Sequence, residues 1–361
     1  MSEHGRLGVA FIGAGGICEQ RHLPALAKFP EVELISVCNR SLESSRRVRE
    51  KWGFRDALQD WRQVLDQQDV DVVFIGAWPY VHREFAVAAL AAGKHVFCQA
   101  RMCMNAEEAT AMVAAAAAHP ELVNMICPSP HRVRWERTVK NLLGTGAIGD
   151  LKSVVVASAN AANCDPDNIS WREQAKFSGL NILQVGIFAE TLNAWCGSYD
   201  ALAATTRIYL REKRDPQGKP ITIDVPQVVS IAGTLAGGAI ASEHHSGLAC
   251  GYERSEILLM GSAGSCTVDL LAQQVLLHQT NAEKSATIVV DSVGDQWQVE
   301  RQFITAVLAA RRGAPWRVSP DFAEASAYMR KLQAIHDSAA QSRIVQLSAD
   351  SHPKSQTVRA L

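Results

Sequence analysis

The chain lacks net charge: 36 lysines and arginines against 37 aspartates and glutamates leave a formal −1 over 361 residues. So neutral a chain exerts no long-range pull on polyanions, which argues against nucleic acid or an anionic membrane surface as a partner. No apolar run approaches the roughly 20 residues that span a bilayer. The opening MSEHGRLGVAFIG has no basic segment leading into an apolar signal core. The nine cysteines are scattered rather than clustered, and an odd, dispersed set reads as the reduced thiols of a cytoplasmic protein. Cys98 and Cys103 have no second pair at metal-ligand spacing, so no metal is expected.

Hydrophobic residues make up 47% of the chain, enough for a substantial interior, and the length favours two domains over one core. The first third alternates short apolar runs (LGVAFIG, VELISVC, DVVFIGA, KHVFCQA, ELVNMIC) with helical stretches, including an alanine-rich helix that Asn105 caps. Alternation of this size predicts an α/β domain with a parallel sheet covered on both faces, over residues 1–127. From 128 to 361 the texture changes. Helices near WERTVKNLLGTGAIG and LNILQVGIFAETLNAWCG precede a run of strands between about Ala201 and Val290, and two more helices follow. Strand after strand predicts an α+β domain with a large, mostly antiparallel sheet, whose last helices can return to the first domain.

The string GAGGIC, Gly13 to Cys18, ends the first strand and opens the first helix, the setting in which a glycine turn holds a pyrophosphate. Gly13 permits the tight turn, and Gly15 lets backbone N–H groups approach the phosphates. Gly16 and Ile17 complete the candidate contacts, and Cys18 takes the third position as a small residue. The second strand ends at Asn39, where an NAD-selective site usually has an acid for the ribose diol. Asn39 does not repel a 2′-phosphate, and Arg40 with Ser41 could hold one, so NADP is favoured over NAD; alternatively Arg40 only covers the adenine. Ala77, Trp78 and His82 lie after the third buried strand, beside the same cleft.

These features resemble the Gfo/Idh/MocA (glucose-fructose oxidoreductase-like) dehydrogenases. The resemblance rests on GVAFIGAGGICEQRHLPAL, the strand GKHVFC, Trp171–Arg172 followed by GLNILQVGIFAETLNAW, and MGSAGSCTVD. It covers essentially the whole chain. It implies a Rossmann domain for the dinucleotide and an open-faced C-terminal sheet for a small-molecule substrate, commonly a sugar, cyclitol or related polyol. It also implies a homodimer or homotetramer through that sheet. Two departures stand out. Where the family reads Glu-Lys-Pro, with a lysine that assists proton removal, this chain reads Gln99-Ala100-Arg101. Where the family's helix carries Asp-x-Gly-x-His, this chain has Gln184, Gly186 and Phe188. Gln99 can still bond a nicotinamide ribose, and Gln184 can position a ligand, but neither shuttles a proton at neutral pH.

His131, in CPSPHRVRW, is the candidate replacement proton carrier, unless it is a loop histidine capping the next helix. Arg101 and Gln184 are the other candidate catalytic groups. In the cleft, Tyr80 and one of the strand pair His244 and His245 are further candidates, though packing and ordinary sheet surface account for them more simply. Arg101, Arg132 or Arg134, and Arg172 come from three segments. Either they converge on a carboxylate, phosphate or sulfonate, or each closes a separate surface salt bridge. Trp78 and Trp171 are walls for a ring or plain core; Cys98, Cys103 and Cys127 are expected to pack. Three activities fit this scaffold: an NAD(P)-dependent oxidoreductase of a polyol or sugar acid, a redox-neutral enzyme using bound NAD(P), and a non-catalytic dinucleotide sensor.

Overall fold

The computed structural model of the protein describes residues 5–281, 284–290 and 297–347. Its first sheet has strands β1 (Leu7–Ile12), β2 (Val32–Cys38), β3 (Asp56–Leu58), β4 (Val72–Ile75), β5 (His95–Cys98) and β6 (Asn124–Ile126). All six are parallel, in the order β3-β2-β1-β4-β5-β6. Helices α1 (Leu23–Leu26), α2 (Leu42–Trp52), α3 (Trp61–Asp66), α4 (His82–Ala91) and α5 (Ala106–Ala118) connect them. Every residue of β1 is buried, because helices cover both faces of the sheet. The strand order reverses between β1 and β4, so the crevice that binds ligands in open α/β sheets opens at the carboxyl ends of those strands. A single π-helical turn, Cys18–His22, leads from the glycine turn into α1.

Helix α6 (Pro130–Gly144) crosses into the second half, followed by β7 (Leu151–Ala159), the one-turn α7 (Ala175–Ser178) and α8 (Val185–Cys196). Next come β8 (Tyr199–Arg207), the hairpin β9 (Glu212–Arg214) and β10 (Pro220–Thr222), then β11 (Val228–Leu235), β12 (Ile240–Ser246) and β13 (Arg254–Gly261). Strands β14 (Gly264–Asp269), β15 (Gln274–Asn281) and β16 (Lys284–Val290) precede helices α9 (Val299–Arg311) and α10 (Phe322–Gln341) and the short β17 (Val345–Gln346). The large sheet runs β16-β15-β14-β13-β7-β12-β11-β8-β17 and is antiparallel except where β12 lies parallel to β7. Its strands alternate: in β12, Ala241, Glu243 and His245 turn inward while Ser242 and His244 face out. Helix α10 covers the inner face and also meets α5 and α8. Helix α9 returns to the first sheet, where Phe303 sets its ring edge against Phe74 and Phe97.

Beneath α10 lies a closed polar network. The Glu243 carboxylate takes Lys331 Nζ at 2.5 Å, Tyr199 OH at 2.6 Å and His245 Nε2 at 3.0 Å. Burial alone would raise the Glu243 carboxyl, but Lys331 and the His245 hydrogen bond outweigh it and hold it down at about 2. The expected sheet-surface setting therefore holds for His244, which bonds Ser230 outside, and is corrected for His245, which alternation buries completely.

The reading of nine reduced thiols is also corrected. Cys164 and Cys250, 86 residues apart, form a disulfide across two neighbouring loops, with Cα atoms 6.2 Å apart. The other seven thiols are free. No helix of the described residues is long and apolar enough to cross a membrane.

Candidate active site

The glycine turn is built by close backbone approach. Gly13 has φ +86°, and a Cβ there would stand 2.6 Å from the Ala77 nitrogen at the end of β4. Cys18, the small third residue, is buried, and its Sγ lies where a Cβ on Gly76 would fall, at 2.2 Å. On the outer side, a Cβ on Gly15 or Gly16 would meet nothing within 4 Å. The turn is thus closed towards the sheet and open towards the crevice, a cradle that fits a dinucleotide pyrophosphate.

At the end of β2, the Asn39 amide is already engaged: Oδ1 accepts from Ala14 N at 2.7 Å and Nδ2 donates to Ser44 Oγ at 3.0 Å. Asn39 thereby fixes the glycine turn to α2. The Ser41 hydroxyl caps α2 by accepting from Ser44 N. Arg40 is exposed and holds no ion pair among the described residues. His82 is fully buried. Its Nδ1 faces the Arg101 carbonyl at 2.9 Å and its Nε2 the Ala77 carbonyl at 2.9 Å. It ties the two cleft loops together and leaves no polar atom for a cofactor, so its placement as a direct contact is corrected. Gln99 accepts from Ala100 N through Oε1 at 3.3 Å and remains half-buried beside the crevice.

Past β5 the chain is pinned hard. Met102 N donates to the buried Tyr328 hydroxyl, and the Arg101 guanidinium donates to the Leu183 carbonyl. Leu183 has φ +43°, a left-handed backbone that costs about 1–2 kcal/mol for a residue with a Cβ, and this contact offsets part of that cost. Arg101, 9% exposed, lines a cavity of about 200 Å³ with Asn163, Arg172, Gln184 and Ser246. Burial, and then the positive charge of Arg172, push the Arg101 guanidinium down to about 10. Gln184 stands at the N-cap of α8 rather than inside the helix, and it is exposed to the cleft. Gly186 packs on Tyr328 and Leu332, and Phe188 is fully buried between His131 and His245.

His131 lies outside the cavity lining. Burial lowers its imidazole to about 4, an effect that the neighbouring Gln184 side chain partly opposes. The three arginines split. Arg101 and Arg172 share the cavity, whereas Arg132 is turned away and neutralised: Nη1 meets Glu190 at 2.5 Å, Nε meets Glu136 at 2.9 Å. Its expected substrate contact is corrected, because burial demanded carboxylate partners that then satisfied it. Arg134 lies over the Trp135 ring. Trp78 and Trp171 stack on each other, centroids 5.1 Å apart and planes 14° off parallel, with Phe177 against the edge of Trp78. They form a pair bridging the two halves of the chain, and neither lines the cavity. Tyr80 stays 46% exposed beyond them. Burial raises the thiols of Cys98, Cys103 and Cys127, so they pack rather than react.

Sequence reasoning missed Asn163. It is 6% exposed, lines the cavity, and its Oδ1 has no hydrogen-bond partner. The asparagine-rich loop after β7, NAANCDPDN, was the available signal.

Residues 7–126 match the family model described as an oxidoreductase family with an NAD-binding Rossmann fold. Over those residues the chain is similar to the Gfo/Idh/MocA oxidoreductases. It is 27% identical over 266 residues to a levoglucosan dehydrogenase of Pseudarthrobacter phenanthrenivorans, a match spanning 65% of this chain and 66% of that enzyme. It is 27% identical over 325 residues to a dTDP-3,4-didehydro-2,6-dideoxy-alpha-D-glucose 3-reductase of Streptomyces antibioticus, covering 89% of this chain and 93% of the relative. Among solved structures, a levoglucosan dehydrogenase in complex with NADH and L-sorbose superposes with a TM-score of 0.84 at 24% identity, over 95% of this chain and 99% of that one. That likeness shows that the chain carries the same fold over nearly its whole length.

Proposed function

We propose that the protein is an NAD(P)-dependent oxidoreductase of a sugar or related polyol, with NADP as the preferred form. The observation that carries this reading is that one loop serves both ends of the cleft. The segment Gln99-Ala100-Arg101 leaves the carboxyl end of β5 beside the nucleotide crevice, and its Arg101 lines the polar cavity. The named activities of the relatives, a levoglucosan dehydrogenase and a sugar 3-reductase, support a sugar-like substrate.

A bound dinucleotide would supply hydride exchange, with Gly13, Gly15, Gly16 and Ile17 around its phosphates, Arg40 at the 2′-phosphate and Gln99 towards the nicotinamide ribose. The chain's own residues then hold the substrate. Gln184 presents its amide to the reacting hydroxyl, and the orphaned Asn163 Oδ1 accepts from a second hydroxyl. Ala100 and Gln184 cannot take a proton, so the hydroxyl proton leaves to solvent at the open cleft. His131, whose neighbour is Gln184, acts as a positioning residue for that amide.

The test is formation of reduced nicotinamide from NADP⁺ and NAD⁺ with a panel of sugars, polyols and sugar acids. Turnover without net cofactor change, or tight cofactor binding without any turnover, would replace the proposal with a redox-neutral enzyme or a sensor. Arg40→Ala should cut the NADP over NAD preference in kcat/KM by about tenfold, the value of one charge-assisted contact; an unchanged ratio removes Arg40 from the site. His131→Ala should lower turnover about tenfold without altering the shape of the pH profile. A loss of about 10²–10⁴-fold with a changed profile would instead make His131 the proton carrier.

A further inference from the structure

We propose that the cavity selects a sugar acid, an aldonate or uronate, whose carboxylate lies between Arg101 and Arg172. The inference rests on the oxidoreductase reading for its chemistry but on separate observations for its charge. The cavity walls carry three ionisable side chains that bear on it: Arg101, Arg172 and Glu173. Glu173 is spoken for. Its carboxylate pairs with buried Lys213 at 3.0 Å and accepts from Ser170 N at 3.0 Å, closing the capping box of the turn Trp171–Glu173. Subtracting that internal pair leaves two guanidinium groups facing one small cavity, and among the described residues neither has an acidic partner.

Two like charges this close disfavour each other, and a protein interior admits them only against a counter-charge. Arg132, in the first turn of α6, shows what the fold does with a buried arginine that has no ligand to meet: it supplies Glu190 and Glu136. At Arg101 it supplies none. Arg101 is nine-tenths buried, donates to the Leu183 carbonyl, and keeps Nε without a partner. Arg172 lies over the Trp171 ring, 4.4 Å from its centroid, at the mouth of the cavity, which holds its planar fork without neutralising it. A planar carboxylate suits two planar forks. Across the cavity, the donor-seeking Asn163 Oδ1 and the hydroxyls of Ser158 and Ser246 suit the polyol end of the same molecule.

Calorimetric titration of the full chain with a series of hexuronates and hexonates, each against its own carboxamide, tests this. At least one acid should bind about tenfold or more tightly than its amide, as expected for a charge-assisted pairing. Arg172→Gln, an exposed position that should fold normally, should bring that ratio close to one. Arg101→Met tests the buried partner, with its melting curve showing whether the variant is folded. Equal binding of acid and amide in every pair, no acid binding at all, tighter binding of a sugar phosphate, or an unchanged ratio in Arg172→Gln would each overturn the proposal. Acid-selective binding without cofactor reduction would sink the oxidoreductase reading alone. Oxidation of neutral sugars with no acid preference would sink only this one.

Discussion

A valine at position 15 is expected to weaken NADP and NAD binding by on the order of 10²-fold, the loss of two or so charge-assisted backbone contacts, while the melting temperature stays within about 2 °C. The two halves of that expectation come from the same geometry. A Cβ on Gly15 meets no protein atom within 4 Å, so the folded chain has room for it, but the room lies over the open face of the glycine turn. Gly13 is the control. Its φ of +86° and the Ala77 backbone 2.6 Å from a would-be Cβ make Gly13→Val a folding defect first and a binding defect second. Fluorescence titration with reduced dinucleotide, beside thermal melts of both variants, separates the two. Normal binding by Gly15→Val would move the pyrophosphate away from this turn.

Lys331→Met is expected to cost about 3–5 kcal/mol at neutral pH, because it strands the Glu243 carboxylate in the interior. The sign of the pH dependence follows from the depressed carboxyl. With a folded value of about 2 against an ordinary carboxylate value, Glu243 contributes stability that is fully present above about pH 5 and is withdrawn as the pH falls towards 2. In Lys331→Met the ammonium no longer opposes burial, so the carboxyl rises and protonates sooner. The gap between wild type and variant should therefore narrow on acidification. Denaturant midpoints at several pH values check this, and a gap that widens at low pH would contradict it. Adding Glu243→Gln to Lys331→Met should recover part of the loss, since the stranded charge is gone.

Both kinds of sheet were legible in the sequence because the element order differs: strands alternate with helices up to about residue 127, whereas strand follows strand between about Ala201 and Val290. The short β3, α3, β9, β10 and β17 carry no continuous apolar run, unlike the equally short β4, β5 and β6, and so left no mark in the sequence. The glycine turn was legible because its residue types are demanded by backbone geometry. The charged part of the site was only half legible. Arg101, Arg132 and Arg172 look alike in sequence, and what distinguishes them is which acids tertiary folding sets beside each. Glu190, 58 residues from Arg132, carries no local mark of that partnership. The same holds for His245, whose neighbour His244 is identical in type and opposite in fate, and for Asn163, which matters only because its oxygen ends up without a donor.

The disulfide clip has a practical consequence. Cys164 immediately follows Asn163, and Cys250 lies just beyond the Gly247 backbone, whose carbonyl accepts from Asn163 N at 2.8 Å. Any thiol reductant added during preparation would sever the covalent brace on that side of the ligand chamber and loosen the loop that aims the Asn163 oxygen. Two laboratories handling the same polypeptide, one with reductant and one without, should therefore measure different Michaelis constants from identical material.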